Sequence, residues 1–326
     1  MKALRFKNFG DVAAVLHVEE LPTPILAPDE VLVEVHAASI NPSDVVNVQG
    51  KMKQTTLPRT PGRDLAGVIV AGKEELIGQE IWAAGGDIGF TRDGSHAEYI
   101  AIPLRGVRQK PKTLSMVEAA SVGINYITAF FGLIEKAKLK EGETVLVTGA
   151  GGGVGSSVVK IAKSKGARVI GVDRQVLEPE KAGRLRIDLS LSSQGDDIVN
   201  RVRQFTQDKG VDVVFDCVGG PVFEPALNSL GLGGRQVNIT SVGERRVSFD
   251  LIDFYHRQLT LYGVDSLALD VVASGGILEG LRSAFEQSLL TPPGIARTCS
   301  LEEAVEAYRE VHTGSARGKI VIAFPH

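Results

Sequence analysis

Cysteine is almost missing from this chain of 326 residues, which carries only Cys217 and Cys299. Two thiols build neither a disulfide scaffold nor a multi-cysteine zinc site, and both read as small buried hydrophobes. Charge of one sign is missing too. Thirty-six basic residues stand against 39 acidic ones, for a formal net charge of -3, with no long run of either. That balance gives no electrostatic footprint for nucleic acid or a membrane surface. Met1-Lys2-Ala3-Leu4-Arg5-Phe6 lacks the apolar core and cleavage site of a signal peptide, and no later apolar stretch reads as long enough to span a bilayer. A cytoplasmic protein with a small-molecule partner is the expectation.

What is present describes a globular chain rich in tight turns: 43% hydrophobic, 23% charged, with 37 glycines. Its length fits two ordinary domains. In the first third, short apolar runs such as 30–35 and 67–70 alternate with Pro and Gly, the mark of a strand-rich module. Ser115 followed by Glu118 is a capping box that opens a helix, and a domain boundary follows shortly after. Apolar strands at 144–148, 168–172, 211–215, 235–239 and 259–263 then alternate with helix-length segments, which predicts a parallel, doubly wound sheet. The tail carries a second capping box at Ser300 and Glu303, a helix that can end near Gly314, and a last strand at 319–323. That strand has no partner in a finished parallel sheet, so it is assigned to the first module. The expected division is residues 1–123 with 266–326, and residues 124–265.

The strand 144–148 runs directly into Gly149-Ala150-Gly151-Gly152-Gly153-Val154-Gly155, and residues 156–165 read as an amphipathic helix. A glycine turn serves close helix-to-sheet packing by itself. Placed between a strand and a helix at the head of a β-α series, it also lets backbone amides approach a diphosphate at the positive end of the helix. The second strand leads to Asp173-Arg174, where an acidic side chain would meet the adenosine ribose. Asp173 favours NAD, Arg174 could fork onto the 2'-phosphate of NADP, and a surface ion pair is the bland use of both.

With the glycine loop placed after a β-rich module, the chain resembles the medium-chain dehydrogenases/reductases along nearly all of its length. Ala150-Gly151-Gly152-Gly153-Val154-Gly155 is similar to the zinc-free members' A-x-G-G-V-G loop, and Pro61-Gly62-Arg63-Asp64-Leu65-Ala66-Gly67 to their P-G-x-[ED]-x-x-G segment. Ser39-Ile40-Asn41-Pro42-Ser43-Asp44 resembles their V-N-P-x-D stretch, and Asp93-Gly94-Ser95-His96-Ala97-Glu98-Tyr99 their G-x-x-A-E-Y turn. The resemblance implies a doubly wound parallel Rossmann sheet plus a β-rich GroES-like catalytic domain. The zinc-dependent members hold their catalytic metal with Cys, His and Cys or Asp. Here Asn41 fills the first of those positions, Gly62-Arg63-Asp64 replaces Gly-His-Glu, and the region of Ala120-Ser121 offers no ligand. No zinc is therefore expected. Without a metal to make an alkoxide at neutral pH, reduction of a quinone or activated alkene by NADPH or NADH is the expected chemistry. An enoyl-thioester or 2-alkenal reductase, and a cofactor-binding protein with a crystallin-like or RNA-binding role, are the alternatives.

By resemblance Asn41 stands at the nicotinamide end of the cleft, with Asp44 either beside it or merely capping a helix. Thr128 reaches the nicotinamide amide, and Tyr126 either donates a proton or is a packed tyrosine. Val218, Thr240-Ser241-Val242 and Val264-Asp265 follow strands at the sheet's ligand-binding edge. Gly318-Lys319 resembles a C-terminal G-K near the cofactor, unless Arg317 and Lys319 are simply solvated. His96 reads as a turn residue and Arg63-Asp64 as an internal ion pair. The last strand of the nucleotide domain, 259–264, is uncharged and should pair with its twin in a homodimer, as in members of the family.

Overall fold

Thr144–Thr148 is buried along its whole length, as a strand of a parallel sheet covered on both faces must be. In the computed structural model, which describes residues 1–325, it stands inside a six-stranded sheet. The spatial order is Leu189–Ser192, Arg168–Asp173, Thr144–Thr148, Val211–Asp216, Leu230–Asn238, Thr260–Gly263, and every neighbouring pair is parallel. Strand order reverses between Thr144–Thr148 and Val211–Asp216, so their carboxyl ends form the switch point where sheets of this kind bind ligands. The sequence reading missed Leu189–Ser192, a four-residue strand at the sheet edge. It also started the helix after the glycine loop at Ser156, whereas Gly153–Ser164 is helical, because the first turn is made of the loop's own glycines and has no apolar face.

The chain divides into two units: Met1–Ile127 with everything from Ser266 onward, and Thr128–Asp265. The first is built on a seven-stranded sheet whose spine is Glu30–Ile40. Alternate residues along its first part are buried, and the last four are buried continuously. Asp64–Ala71, Tyr99–Pro103 and Lys319–Ala323 all pair with it antiparallel. Val31, Val33, Val35, Ile69, Ile100, Ile102, Ile320 and Ile322 make the core on which Tyr308 packs from the helix Ala304–Thr313. Because Ile320 registers with Ile40, Lys319 falls across from the end of the spine, next to Asn41.

Both capping boxes form: Ser115 N donates to Glu118 Oε2 at 2.9 Å, and Ser300 N to Glu303 Oε2 at 2.8 Å. The second helix ends at Gly314 in the left-handed region. The first, Met116–Phe130, is broken at Gly123, whose dihedrals are not helical, and runs on into a π-helical turn, Phe131–Lys136. By length and composition Met116–Lys136 is long and apolar enough to cross a membrane, which corrects the expectation above. Of its most apolar window, 72% is buried. A helix enclosed on nearly every face is apolar all round whether lipid or protein surrounds it. Of the two cysteines Cys299 is buried, but Cys217 is only half-buried, since it sits past the end of Val211–Asp216 where the chain leaves the sheet.

Candidate active site

In the unit Thr128–Asp265 the candidate residues gather at the carboxyl ends of the parallel strands. Gly149 turns the chain with φ +62°, and Gly152 N donates back to Gly149 O at 2.9 Å. Gly152 is the N-cap of Gly153–Ser164, and no side chain among the described residues bonds the helix's first amides, which leaves those of Gly153, Val154 and Gly155 open. A Cβ on Gly155 would lie 2.1 Å from Gly149 O, whereas one on Gly152 would lie 3.2 Å from the same atom. Gly155 is therefore demanded by the turn itself.

Asp173 bends over this loop. Its Oδ2 accepts from Gly151 N at 3.0 Å, its Oδ1 from Arg174 N at 2.9 Å, and Lys181 Nζ donates to Gly151 O at 2.9 Å. No side-chain ion pair joins Asp173 to Arg174 among the described residues, which removes the surface-pair reading. Arg174 is exposed. At the switch point Asp216 Oδ1 accepts from Thr148 Oγ1 at 2.5 Å, Val218 N at 3.0 Å and Gly219 N at 2.9 Å, which fixes the turn that carries Val218. Val242 N in turn donates to Val218 O at 2.8 Å, and Val264 N to Asn238 O at 2.9 Å. Thr240, Ser241, Val242 and Asp265 are exposed, while Ala150, Val264 and Thr128 are buried. Thr148, Lys181 and Asp216 were not singled out from sequence. For Thr148 and Asp216 the available signal was a polar residue closing a buried apolar strand, whereas Lys181, inside the helix Pro179–Leu185, carried none.

In the other unit the candidates form a buried polar cluster around Asp64. Its Oδ2 accepts from Ser39 Oγ at 2.9 Å and Asn41 Nδ2 at 2.9 Å, and lies 3.7 Å from Lys319 Nζ. Its Oδ1 accepts from Ile124 N at 2.8 Å. That amide is freed where the helix breaks, and a Cβ on Gly123 would lie 2.2 Å from the same carboxylate oxygen. The kink thus exists with a carboxylate inserted in it. Asn41, N-cap of Pro42–Val48, donates its backbone N–H to Asp44 Oδ2 at 2.8 Å, so Asp44 does hold the helix start. Asn41 Oδ1 accepts from Lys319 Nζ at 2.6 Å. Lys319 is buried, not solvated, whereas Gly318 and Arg317 are exposed. Burial lowers the Lys319 ammonium below the usual lysine range and raises the Asp44 carboxyl to about 7.

The expected Arg63–Asp64 ion pair is not formed. Successive residues of an extended chain face opposite ways. Asp64 turns to Lys319, while Arg63 donates to Gly85 O, Ser43 Oγ and Ser266 O at 3.1, 3.3 and 3.3 Å and lies over the Phe90 ring. These residues do not fit zinc. Asn41 and Arg63 are the residues that the resemblance aligns with two ligands of the zinc-dependent members, a guanidinium binds no cation, and Asp64 already has four donors or cations around it. Among the described residues no three His, Cys, Asp or Glu side chains gather as a metal would need.

Two further candidates have ordinary partners. Tyr126 is fully buried, donates its hydroxyl to Thr291 O at 2.6 Å and packs edge-on to Phe285; burial raises its pKa further. It is the packed tyrosine of the two readings. His96 is also buried, with Nε2 at 3.2 Å from Ser39 O and Nδ1 at 2.9 Å from Tyr308 Oη. A carbonyl only accepts, so Nε2 carries the proton and Nδ1 accepts from the tyrosine. Burial pushes the imidazole down to about 4, which keeps it neutral.

Comparison with known proteins agrees with both halves. Residues 27–112 match the alcohol dehydrogenase GroES-like domain and residues 153–272 the zinc-binding dehydrogenase domain. A zinc-type alcohol dehydrogenase-like protein of Schizosaccharomyces pombe is 35% identical over 95% of this chain and 94% of its own length. Human quinone oxidoreductase is 27% identical over 99% of this chain and 97% of its own, and 2-methylene-furan-3-one reductase of Solanum lycopersicum 32% identical over 99% and 79%. The crystal structure of an NAD-dependent alcohol dehydrogenase superposes with TM-score 0.89 at 28% identity, covering 100% of both chains. The chain belongs to the medium-chain dehydrogenase/reductase superfamily, in its quinone oxidoreductase-like branch, and is an NAD(P)H-dependent oxidoreductase.

Proposed function

We propose that the enzyme reduces a quinone or an activated alkene, such as an α,β-unsaturated carbonyl, with NADPH or NADH and without zinc. The observation that carries this reading is the closed set of Asp64, Asn41 and Lys319, in which the carboxylate is consumed by protein donors and no ligand set remains. An enzyme without a Lewis acid needs an acceptor that already stabilises added negative charge, and then has mainly to orient it and donate hydrogen bonds. Quinones and enones are such acceptors. The names of the human quinone oxidoreductase and the tomato furanone reductase support the same classes.

The residues at the parallel sheet fit a nicotinamide dinucleotide, because the open amides after Gly152 and the missing side chain at Gly155 make a cradle for a diphosphate. When bound, the cofactor supplies the hydride. Gly152, Gly153, Val154 and Gly155 would hold its diphosphate through main-chain amides, with Ala150 packed beneath the loop. Asp173 and Arg174 would meet the adenosine ribose, where the first favours NADH and the second NADPH. Val218, Thr240, Ser241, Val242, Val264, Asp265 and Thr128 would line the nicotinamide half. Asn41 would donate from Nδ2 to the acceptor oxygen. Tyr126 is left out of the chemistry because its hydroxyl is committed to Thr291.

A steady-state screen of NADPH and NADH against quinones, enals and enoyl thioesters tests the proposal. Turnover with a quinone or an enal is expected. Turnover confined to enoyl thioesters would favour the thioester-reductase alternative, and none with any acceptor would overturn the reading.

A further inference from the structure

The Asn41 carboxamide lies between two charges of opposite sign. Its Nδ2 is 2.9 Å from Asp64 Oδ2, and its Oδ1 is 2.6 Å from Lys319 Nζ. Turned over, the amide would set Oδ1 against a carboxylate and Nδ2 against an ammonium. Two repulsive pairs would replace two charge-assisted hydrogen bonds, among residues that are all buried. Neither neighbour is free to follow the turn. Asp64 is pinned by Ser39 Oγ and by the Ile124 amide at the helix kink, and Lys319 begins a strand in register with Glu30–Ile40. Only one of the two Nδ2 protons is spent on Asp64, and no other protein acceptor takes the second among the described residues.

We propose that Lys319 is a positioning residue: with Asp64 it locks the Asn41 carboxamide in the orientation that presents its second Nδ2–H to the acceptor oxygen. This rests on the reading of Asn41 given above, and it replaces the expectation that Lys319 contacts the cofactor. The lock depends on charge. The charged and titratable groups that act on Lys319 are Asp64, Asp44 and Arg63, with His96 held neutral beside the same cluster. Burial outweighs the two carboxylates and lowers the ammonium's pKa, so its charge is lost at a lower pH than an exposed lysine's. Once it is neutral, the penalty for turning the amide falls, and kcat declines on the alkaline side.

The test compares the full-length wild type with Lys319→Met and Lys319→Arg. It measures kcat and acceptor KM from about pH 6 to about pH 10, and cofactor Kd by fluorescence. Lys319→Met should lower kcat by about tenfold or more while cofactor Kd stays within about twofold. Lys319→Arg should keep kcat within about threefold and carry the alkaline limb to higher pH, because a guanidinium does not lose its proton there. An unchanged kcat in Lys319→Met overturns the proposal, as does a loss of cofactor affinity equal to the loss of kcat. So does an alkaline limb that Lys319→Arg leaves in place, and this comparison stands even if Lys319→Met fails to fold. If the wild type reduces none of the acceptors, the functional reading fails, but the lock is still read from the Asn41 side-chain amide resonances, assigned by their loss in Asn41→Ser. They should hold their shifts until the alkaline limit in the wild type. Unmoved resonances there and in Lys319→Arg well above that limit would overturn the lock.

Discussion

The two units assemble their polar sites from different material. In Thr128–Asp265 the proposed diphosphate cradle is main chain, drawn from one contiguous run, residues 149–155. In the other unit the cluster is made of side chains from distant points of the chain, with Asn41 and Lys319 separated by 278 positions. A main-chain site announces itself in sequence because glycine reports where the backbone must turn or be approached. A side-chain lock leaves no local pattern, since each member looks like an ordinary Asn, Asp or Lys until the strands are in register.

The sharpest way to break this contrast is to put a side chain into the cradle. Gly155→Leu must displace the Gly149 carbonyl, so cofactor affinity should fall by at least about a hundredfold in a fluorescence titration, with Gly152→Ala much milder. Wild-type affinity in Gly155→Leu would show that the main chain is not the cradle. In the other unit the same operation strikes a side chain. Gly123→Ala drives a methyl against Asp64 Oδ1, so denaturant unfolding should show a loss of about 2–3 kcal/mol. An unchanged midpoint would mean that the carboxylate does not sit in the kink.

Legibility followed the same division. Strands 144–148, 168–172 and 211–215, the glycine loop and both capping boxes could be read because their signals are local and periodic. The return of Lys319–Ala323 to the first unit followed from counting strands. The inserted Asp64 carboxylate, the Lys319 bond to Asn41 and the separation of Arg63 from Asp64 could not be read, because each depends on register between segments far apart. Gly123 inside an otherwise helical run is the one local hint of the kink.

The units also differ at their edges. Thr260–Gly263 ends the parallel sheet and, among the described residues, pairs only with Leu230–Asn238, and Leu251, Ile252 and Tyr255 are exposed on the short helix that precedes it. We propose that this edge joins two copies of the chain. Light scattering at micromolar concentration should then give a mass near twice 34.7 kDa, with Leu261→Pro shifted towards the monomer. A monomeric wild type would contradict this.

The smallest effect concerns the pH dependence of stability. His96, lowered to about 4, is protonated in the unfolded chain before the folded one, so stability rises as pH climbs from about 4 to the ordinary histidine range. Asp44, raised to about 7, does the opposite. The folded state holds its proton longer, so stability falls as pH rises from about 4 to about 7. The two slopes oppose each other in the wild type. Asp44→Asn should leave the histidine slope alone and make stability rise more steeply over that window in urea unfolding. The same slope in both proteins would show that Asp44 ionises as an ordinary carboxylate.

We propose that the lock of Asn41, Asp64 and Lys319 stands where the zinc-dependent members of the family hold their metal. Elemental analysis of the purified protein, with NAD(P)H-dependent turnover followed through treatment with a strong chelator, tests it most directly. No stoichiometric zinc and full activity after chelation are expected, and about one zinc per chain, removed together with activity, would contradict the proposal.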